Sequence, residues 1–224
     1  SWCDECVEAF RRERSHHATS PEKRTFPHVS IDYMFLTPKG LILKGRDGLW
    51  EDPPEDSTRV LAGICSATKV VFAFAVPQKG ADAEGYAVKN LVENVLWLGH
   101  SRVAVRSDNE PSILALKSAA AASCPGVEMV PRSCPVGDHQ ANGDVEVSVR
   151  EIKRQMRAVR YELERKLGKQ LDERDVILYW NPQFAADVIS WDRRGADGKT
   201  SHEREFGKPF SKPLLISGEK MMLR

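Results

Sequence analysis

The distribution of apolar residues along the chain first predicts strands. Three runs rich in β-branched and aromatic residues have the composition of strands and are followed by Gly, Pro or polar turn residues. Two shorter apolar runs later in the chain have the same character. The five predicted strands cover residues 28–36, 59–66, 69–77, 102–107 and 127–131. The short Ala67-Thr68 link favours a hairpin between the second and third of them.

Other segments place apolar residues three and four positions apart, which is the spacing of a helix with one buried face. The four predicted helices cover residues 82–98, 110–123, about 142–167 and about 173–192. The tail, residues 195–224, contains four glycines and two prolines and has little periodicity. Early hairpins followed by alternating helices and strands predict an α/β fold, in which a mixed sheet carries helices on its faces.

Composition narrows the class of protein. The 224 residues are 41% hydrophobic and 29% charged, which excludes disordered and fibrous classes. No apolar run is long enough to cross a membrane, and the charged first stretch does not resemble a signal peptide. Five cysteines without disulfide-like spacing favour a reducing setting, so we expect the nucleus or cytoplasm and not secretion. Because residue 1 is Ser, we expect a piece of a longer polyprotein.

The longest predicted helix has two distinct faces. On a helical wheel one line contains the apolar residues Val145, Val149, Ile152, Met156, Val159, Leu163 and Leu167. Glu146 lies about 100° from that line, on the same edge as Arg150, Lys153, Arg157 and Arg160. A solvated face with ion pairs such as Glu146–Arg150 would explain this edge. A row of cations that holds a phosphodiester backbone beside a metal-binding carboxylate explains its length better.

Two aspartates complete a candidate metal site with Glu146. Asp32 lies inside the first apolar strand, where a charge must be paired or bound to a metal if it is buried. Asp108 follows the fourth strand, where a simple cap of the next helix is an equally good explanation for it alone. If these two strands are neighbours, Asp32 and Asp108 converge at one edge of the sheet. Three carboxylates with room for water suit Mg²⁺ or Mn²⁺.

These residues resemble a known family. Three segments are similar to the D, D and E motifs of retroviral and retrotransposon integrases: Ile31-Asp32-Tyr33, Ser107-Asp108-Asn109-Glu110 and His139 to Glu146. The 37 residues between Asp108 and Glu146 slightly exceed the spacing typical of retroviral members. The resemblance implies an RNase H-like core with a five-stranded mixed sheet. It also implies 3′-end processing and strand transfer by a DNA integrase that uses Mg²⁺ or Mn²⁺.

The resemblance carries further expectations about the site. Asp32, Asp108 and Glu146 would be the catalytic, metal-binding residues. DNA contacts would come from Asn109, Gln140, Asn142, Arg150, Lys153 and Arg157. The partners would be element ends and target DNA, together with further copies of this chain, and no membrane.

The resemblance also divides the chain. Residues 1–25 would be the remnant of an N-terminal zinc-binding region, residues 26–194 the catalytic core and residues 195–224 a C-terminal extension. Cys3 and Cys6 are similar to half of the family's zinc site, but the histidine pair expected upstream is missing, so Zn²⁺ is expected only in a longer protein. Two other functions compete with the integrase hypothesis. One is a non-catalytic nucleic-acid-binding module of the same fold, and the other is a nuclease that hydrolyses without joining ends.

Overall fold

The computed structural model describes residues 26–37, 40–41, 57–133, 143–172 and 175–211. Its strands are β1 (His28–Thr37), β2 (Gly40–Leu41), β3 (Thr58–Cys65), β4 (Val71–Val76), β5 (Arg102–Ser107) and β6 (Glu128–Ser133). Its helices are α1 (Tyr86–Trp97), α2 (Pro111–Ser123), α3 (Gly143–Leu167), α4 (Ile177–Asp192) and α5 (Ser201–Phe206). The predicted region 1–25 lies outside these residues, and the three-part division of the chain stays a prediction.

The sheet has the order β4-β3-β1-β5-β6, and the two-residue β2 pairs with the end of β1. β1, β3 and β4 are antiparallel neighbours, whereas β5 runs parallel to β1 and β6 runs parallel to β5. The predicted α/β class with a five-stranded mixed sheet is therefore confirmed, as is the hairpin between β3 and β4. The hairpin link is longer than predicted, and Lys69 within it takes a positive φ.

Alternation along the strands sends side chains to two separate cores. The first core fills the face covered by α1 and α2 and includes Ile31, Leu61 and Val105. The second lies under α3 and α4 and includes Met34 and Ile152. Since Asp32 alternates with Ile31, its side chain belongs to the face that carries α3.

Helix ends explain the differences from the predicted bounds. α1 begins at Tyr86, not at 82, because the carboxylate of Asp82 accepts hydrogen bonds from the amides of Tyr86 and Ala87, both at 2.8 Å. The predictions missed α5 in the tail. Its start is a capping box, in which Thr200 and Glu203 satisfy each other's backbone amides.

The predicted apolar line of α3 is wrong at its end. Val145, Ile152, Met156, Val159 and Leu163 are buried, but Leu167 is 50% exposed. Leu167 is the last residue of α3, where the buried face of the helix ends. None of the described helices combines the length and the apolar character that a membrane-crossing segment needs.

We expect Gly63→Ala to be among the most destabilising small substitutions in the sheet. Gly63 faces Phe72 across the β3–β4 ladder, and a Cβ at Gly63 would overlap the ring of Phe72. Because that ring is buried, the overlap should cost about 1–3 kcal/mol of unfolding free energy, measured by urea denaturation. Gly143→Ala is the matched control, since its Cβ would meet no atom within 4 Å. Equal stability of Gly63→Ala and the native chain would contradict this packing.

Candidate metal and nucleic-acid site

The register between β1 and β5 brings two aspartates together. Ser30 pairs with Arg106 in the parallel ladder, and Asp32 and Asp108 each lie two residues further along their chains. Side chains two residues apart on a strand share a face, and neighbouring strands are about 5 Å apart. Asp32 and Asp108 therefore lie side by side at the carboxyl-terminal end of β5. This juxtaposition requires β1 and β5 to be adjacent, which the sequence alone does not establish.

Electrostatic coupling among the carboxylates appears in the pKa of Asp32. Burial first, and then the charges of Asp108, Glu146 and Glu110, raise this pKa from its ordinary value of 3.8 to about 7. A hydrogen bond from the Tyr33 amide to Asp32 Oδ1, at 2.8 Å, lowers it in part. Glu146 on the first turn of α3 is thus close enough to Asp32 to repel its charge.

Asp108 and Glu146 are exposed, whereas Asp32 is half-buried. Asp108 accepts a hydrogen bond from the Glu110 amide at 3.3 Å, so it stabilises the turn into α2, but the N-cap of that helix is Glu110 and not Asp108 as the capping alternative had it. Glu146 takes part in neither ion pair within α3, which join Arg160 to Glu164 and Glu162 to Lys166. The ion pair Glu146–Arg150, which would have explained this edge of the helix, is absent from the described residues.

The chemistry of these donors fits a divalent cation. Carboxylate oxygens are hard ligands, and the pKa of Asp32 is raised by burial and then by the nearby carboxylates of Asp108, Glu146 and Glu110. In the described parts of the chain, however, no group of three or more His, Cys, Asp or Glu is arranged to hold a metal ion. The carboxylates share one region but do not form a closed chelating cage.

The predicted basic edge of α3 divides into three parts. Lys153 is close enough to Asp32 for their charges to interact: burial lowers the pKa of its ammonium group, while the charge of Asp32 raises it. Arg150 and Arg157 are exposed. Arg160 instead bonds to Glu164 at 2.8 Å and to the Leu171 carbonyl at 2.9 Å, so it holds the end of α3 together.

A fourth carboxylate, Glu110, was missed as a site residue. Its Oε1 lies 2.6 Å from Lys79 Nζ and accepts a hydrogen bond from the Ser112 hydroxyl at 2.8 Å. Lys79 Nζ also lies over the ring of Tyr33, 5.7 Å from its centroid. The Tyr33 hydroxyl accepts a hydrogen bond from the Gly80 amide at 2.8 Å. Lys79 therefore offsets the charge of Glu110 beside the acidic group. The position of Glu110 two residues after Asp108 was the only sequence signal.

Several predicted contacts are not described. Cys3, Cys6, Gln140 and Asn142 lie outside the residues that the structure describes, so their roles stay predictions. Asn109 follows Asp108 at the same end of the sheet and is exposed.

Solved structures of similar fold come from retroviral integrases. The chain superimposes on the catalytic core domain of BIV integrase with a TM-score of 0.51 and 16% identity, over 80% of this chain and 93% of that one. The HTLV-2 integrase catalytic core domain, in complex with magnesium and in a dimeric form, matches with a TM-score of 0.52 and 13% identity. That match covers 80% of this chain and 94% of the HTLV-2 chain.

A chain of the simian T-cell lymphotropic virus intasome, solved with the PP2A regulatory subunit B56 gamma, matches with a TM-score of 0.54. The identity is 14%, and the match covers 83% of this chain but only 58% of that one. No protein-family profile matches the chain, and no curated protein matches it in sequence. The chain therefore has the RNase H-like fold of an integrase catalytic core, as the resemblance implied.

Proposed function

We propose that this chain is the catalytic core of a retroelement integrase, which trims DNA 3′ ends and joins them to target DNA. The observation that carries the proposal is the carboxylate group at the end of β5. Asp108 and Glu146 lie close enough to repel the charge of Asp32, on a fold shared with integrase cores. Because one fold can serve many functions, this carboxylate group is what points to a specific chemistry.

In this proposal the three carboxylates bind Mg²⁺ or Mn²⁺. When bound, two such ions would favour an in-line displacement at phosphorus, with water and then a DNA 3′-hydroxyl as the nucleophile. A magnesium-containing neighbour of the same fold is consistent with this cofactor. Zn²⁺ would enter only through Cys3 and Cys6 in a longer protein.

The chain's own residues would position the DNA. Lys153 lies beside Asp32, so its ammonium group would hold a phosphate next to the acidic group. Arg150 and Arg157, exposed on the same helix, would hold the following phosphates. Asn109, Gln140 and Asn142 would contact the DNA end. Self-association, and action in the nucleus or cytoplasm, complete the proposal.

A non-catalytic DNA-binding module is the second candidate. The observation that favours it is the lack, in the described residues, of a group arranged to hold a metal ion. Such a module would bind DNA with the same cations and would not need the carboxylates.

One joining assay separates these functions. The chain is incubated with a labelled duplex that ends in a 3′-hydroxyl, an unlabelled target plasmid and Mg²⁺. Transfer of the label to the plasmid supports the integrase function. Cleaved but unjoined DNA indicates a nuclease, and binding without either product indicates the module.

A further inference from the structure

The face of the sheet that carries Asp32 is only partly covered by helices. α3 and α4 pack over β1, β3 and β4, and no described helix packs over this face of β5 and β6. Val103, Val105 and Met129 point into the opposite core. By alternation, Arg102, Arg106 and Arg132 therefore lie on the side of Asp32.

Two of these arginines are held by one aromatic ring. The guanidinium carbon of Arg102 lies 4.4 Å from the centroid of Phe26, and that of Arg132 lies 5.3 Å from it. Such contacts fix the planar cations without neutralising them. Glu128 pairs with Arg102 at 3.1 Å, but this exposed pair leaves both side chains about half accessible. Phe26, Arg102 and Arg132 form a preorganised cationic surface, which we call the arginine platform.

The arginine platform is continuous with the acidic site. Arg132 pairs with Arg106 across the β5–β6 ladder, and Asp108 follows Arg106 by two residues. Arg102 lies six residues before Asp108, or about 20 Å along an extended strand. That distance matches about six base pairs of a duplex at 3.4 Å each. Lys153 and Arg157 belong to α3, which packs over β1 and β3, whereas the platform lies on β5 and β6.

We propose that the arginine platform binds the phosphate backbone of a DNA duplex whose end lies at Asp32 and Asp108, about six base pairs from the contact. This inference deepens the proposed function and rests on it for the position of the DNA end. Guanidinium groups match phosphate oxygens through paired N–H donors. This contact adds affinity and fixes the position of the protein along the duplex, but it does not recognise the base sequence.

Equilibrium DNA binding tests the platform without requiring catalysis. Fluorescence anisotropy with a labelled duplex of about 20 base pairs is measured at several salt concentrations for the native chain and for Arg102→Ala/Arg132→Ala. We expect the double variant to bind about 10-fold more weakly or worse. Its slope of log affinity against log salt should fall by about 2. Phe26→Leu should weaken binding about 2- to 5-fold with an unchanged slope, because the cations remain but lose their support.

The matched control is Lys89→Ala/Arg165→Ala, which removes two exposed cations from α1 and from the end of α3. Circular dichroism verifies folding, and Arg102→Gln/Arg132→Gln replaces the alanine variant if that one unfolds. Unchanged affinity and slope in a folded double variant would overturn the platform, even if the native chain joins DNA. Selective loss of affinity supports the platform even if no joining is found. If the native chain binds no duplex, both proposals fail.

Discussion

Asp108→Asn should abolish strand transfer while leaving the fold unchanged. Asparagine keeps the oxygen that accepts the Glu110 amide, so the turn into α2 is preserved. It removes one of the charges near Asp32, and with it one of the proposed ligands for a divalent ion. We expect the rate of joining to fall by more than about 100-fold, since even the loss of groups that only orient metal ligands costs 10- to 100-fold.

The measurement is the amount of labelled DNA joined to plasmid with time, at equal concentrations of folded protein. Asp144→Asn is the matched control. Asp144 lies two residues before Glu146 and is exposed, but it pairs with Lys69 at 3.4 Å. This control should join DNA at nearly the native rate. Joining by Asp108→Asn at the native rate would exclude Asp108 from the catalytic group.

Asp32→Asn should stabilise the metal-free protein above neutral pH. The pKa of Asp32 is about 7 in the folded chain, mainly through burial and then through Asp108, against an ordinary value of 3.8. The folded state therefore binds this proton more tightly than the unfolded state does. Its contribution to stability is complete below about pH 3.8 and is lost as the pH rises to about 7. Asparagine cannot ionise, so the variant avoids that loss.

A difference of about three pH units corresponds to an upper limit of about 4 kcal/mol. We expect Asp32→Asn to unfold at higher urea than the native chain at pH 8 in EDTA, by about 2–4 kcal/mol, and to match it near pH 4. Exposed Asp192 provides the control, since Asp192→Asn should change stability by less than about 0.5 kcal/mol. If the unfolding free energies of the native chain and of Asp32→Asn changed with pH in the same way, the pKa of Asp32 would not be raised in the folded chain.

These two effects together separate a functional carboxylate from a structural one. A structural aspartate would lose stability on neutralisation, whereas Asp32 should gain it. Excess Mn²⁺ should restore stability to the native chain by binding the folded state, and should do so less for Asp32→Asn.

The sequence was informative where a local pattern decides the structure. Alternation and helical spacing predicted β1, β5 and the long helix α3, and an aspartate inside an apolar strand marked Asp32 as unusual. The capping box at Thr200 was also a local signal, but the glycines and prolines around it concealed the short helix α5.

Features that depend on which elements are neighbours could not be predicted. The pairing of β1 with β5 places Asp32 beside Asp108, and the Lys79 ammonium reaches Glu110 from 31 residues earlier in the chain. Likewise, Arg160 lies on the same helical edge as Lys153, but its guanidinium donates a hydrogen bond to the Leu171 carbonyl in the segment after α3. The three residues of the arginine platform are also far apart in sequence.

The central claim is that Asp32, Asp108 and Glu146 bind divalent ions together, and titration calorimetry with Mn²⁺ tests it most directly. We predict that the native chain and Asp144→Asn bind Mn²⁺ and that Asp32→Asn, Asp108→Asn and Glu146→Gln each lose most of that binding. A native chain that binds no Mn²⁺, or binding that persists in all three variants, would contradict the claim.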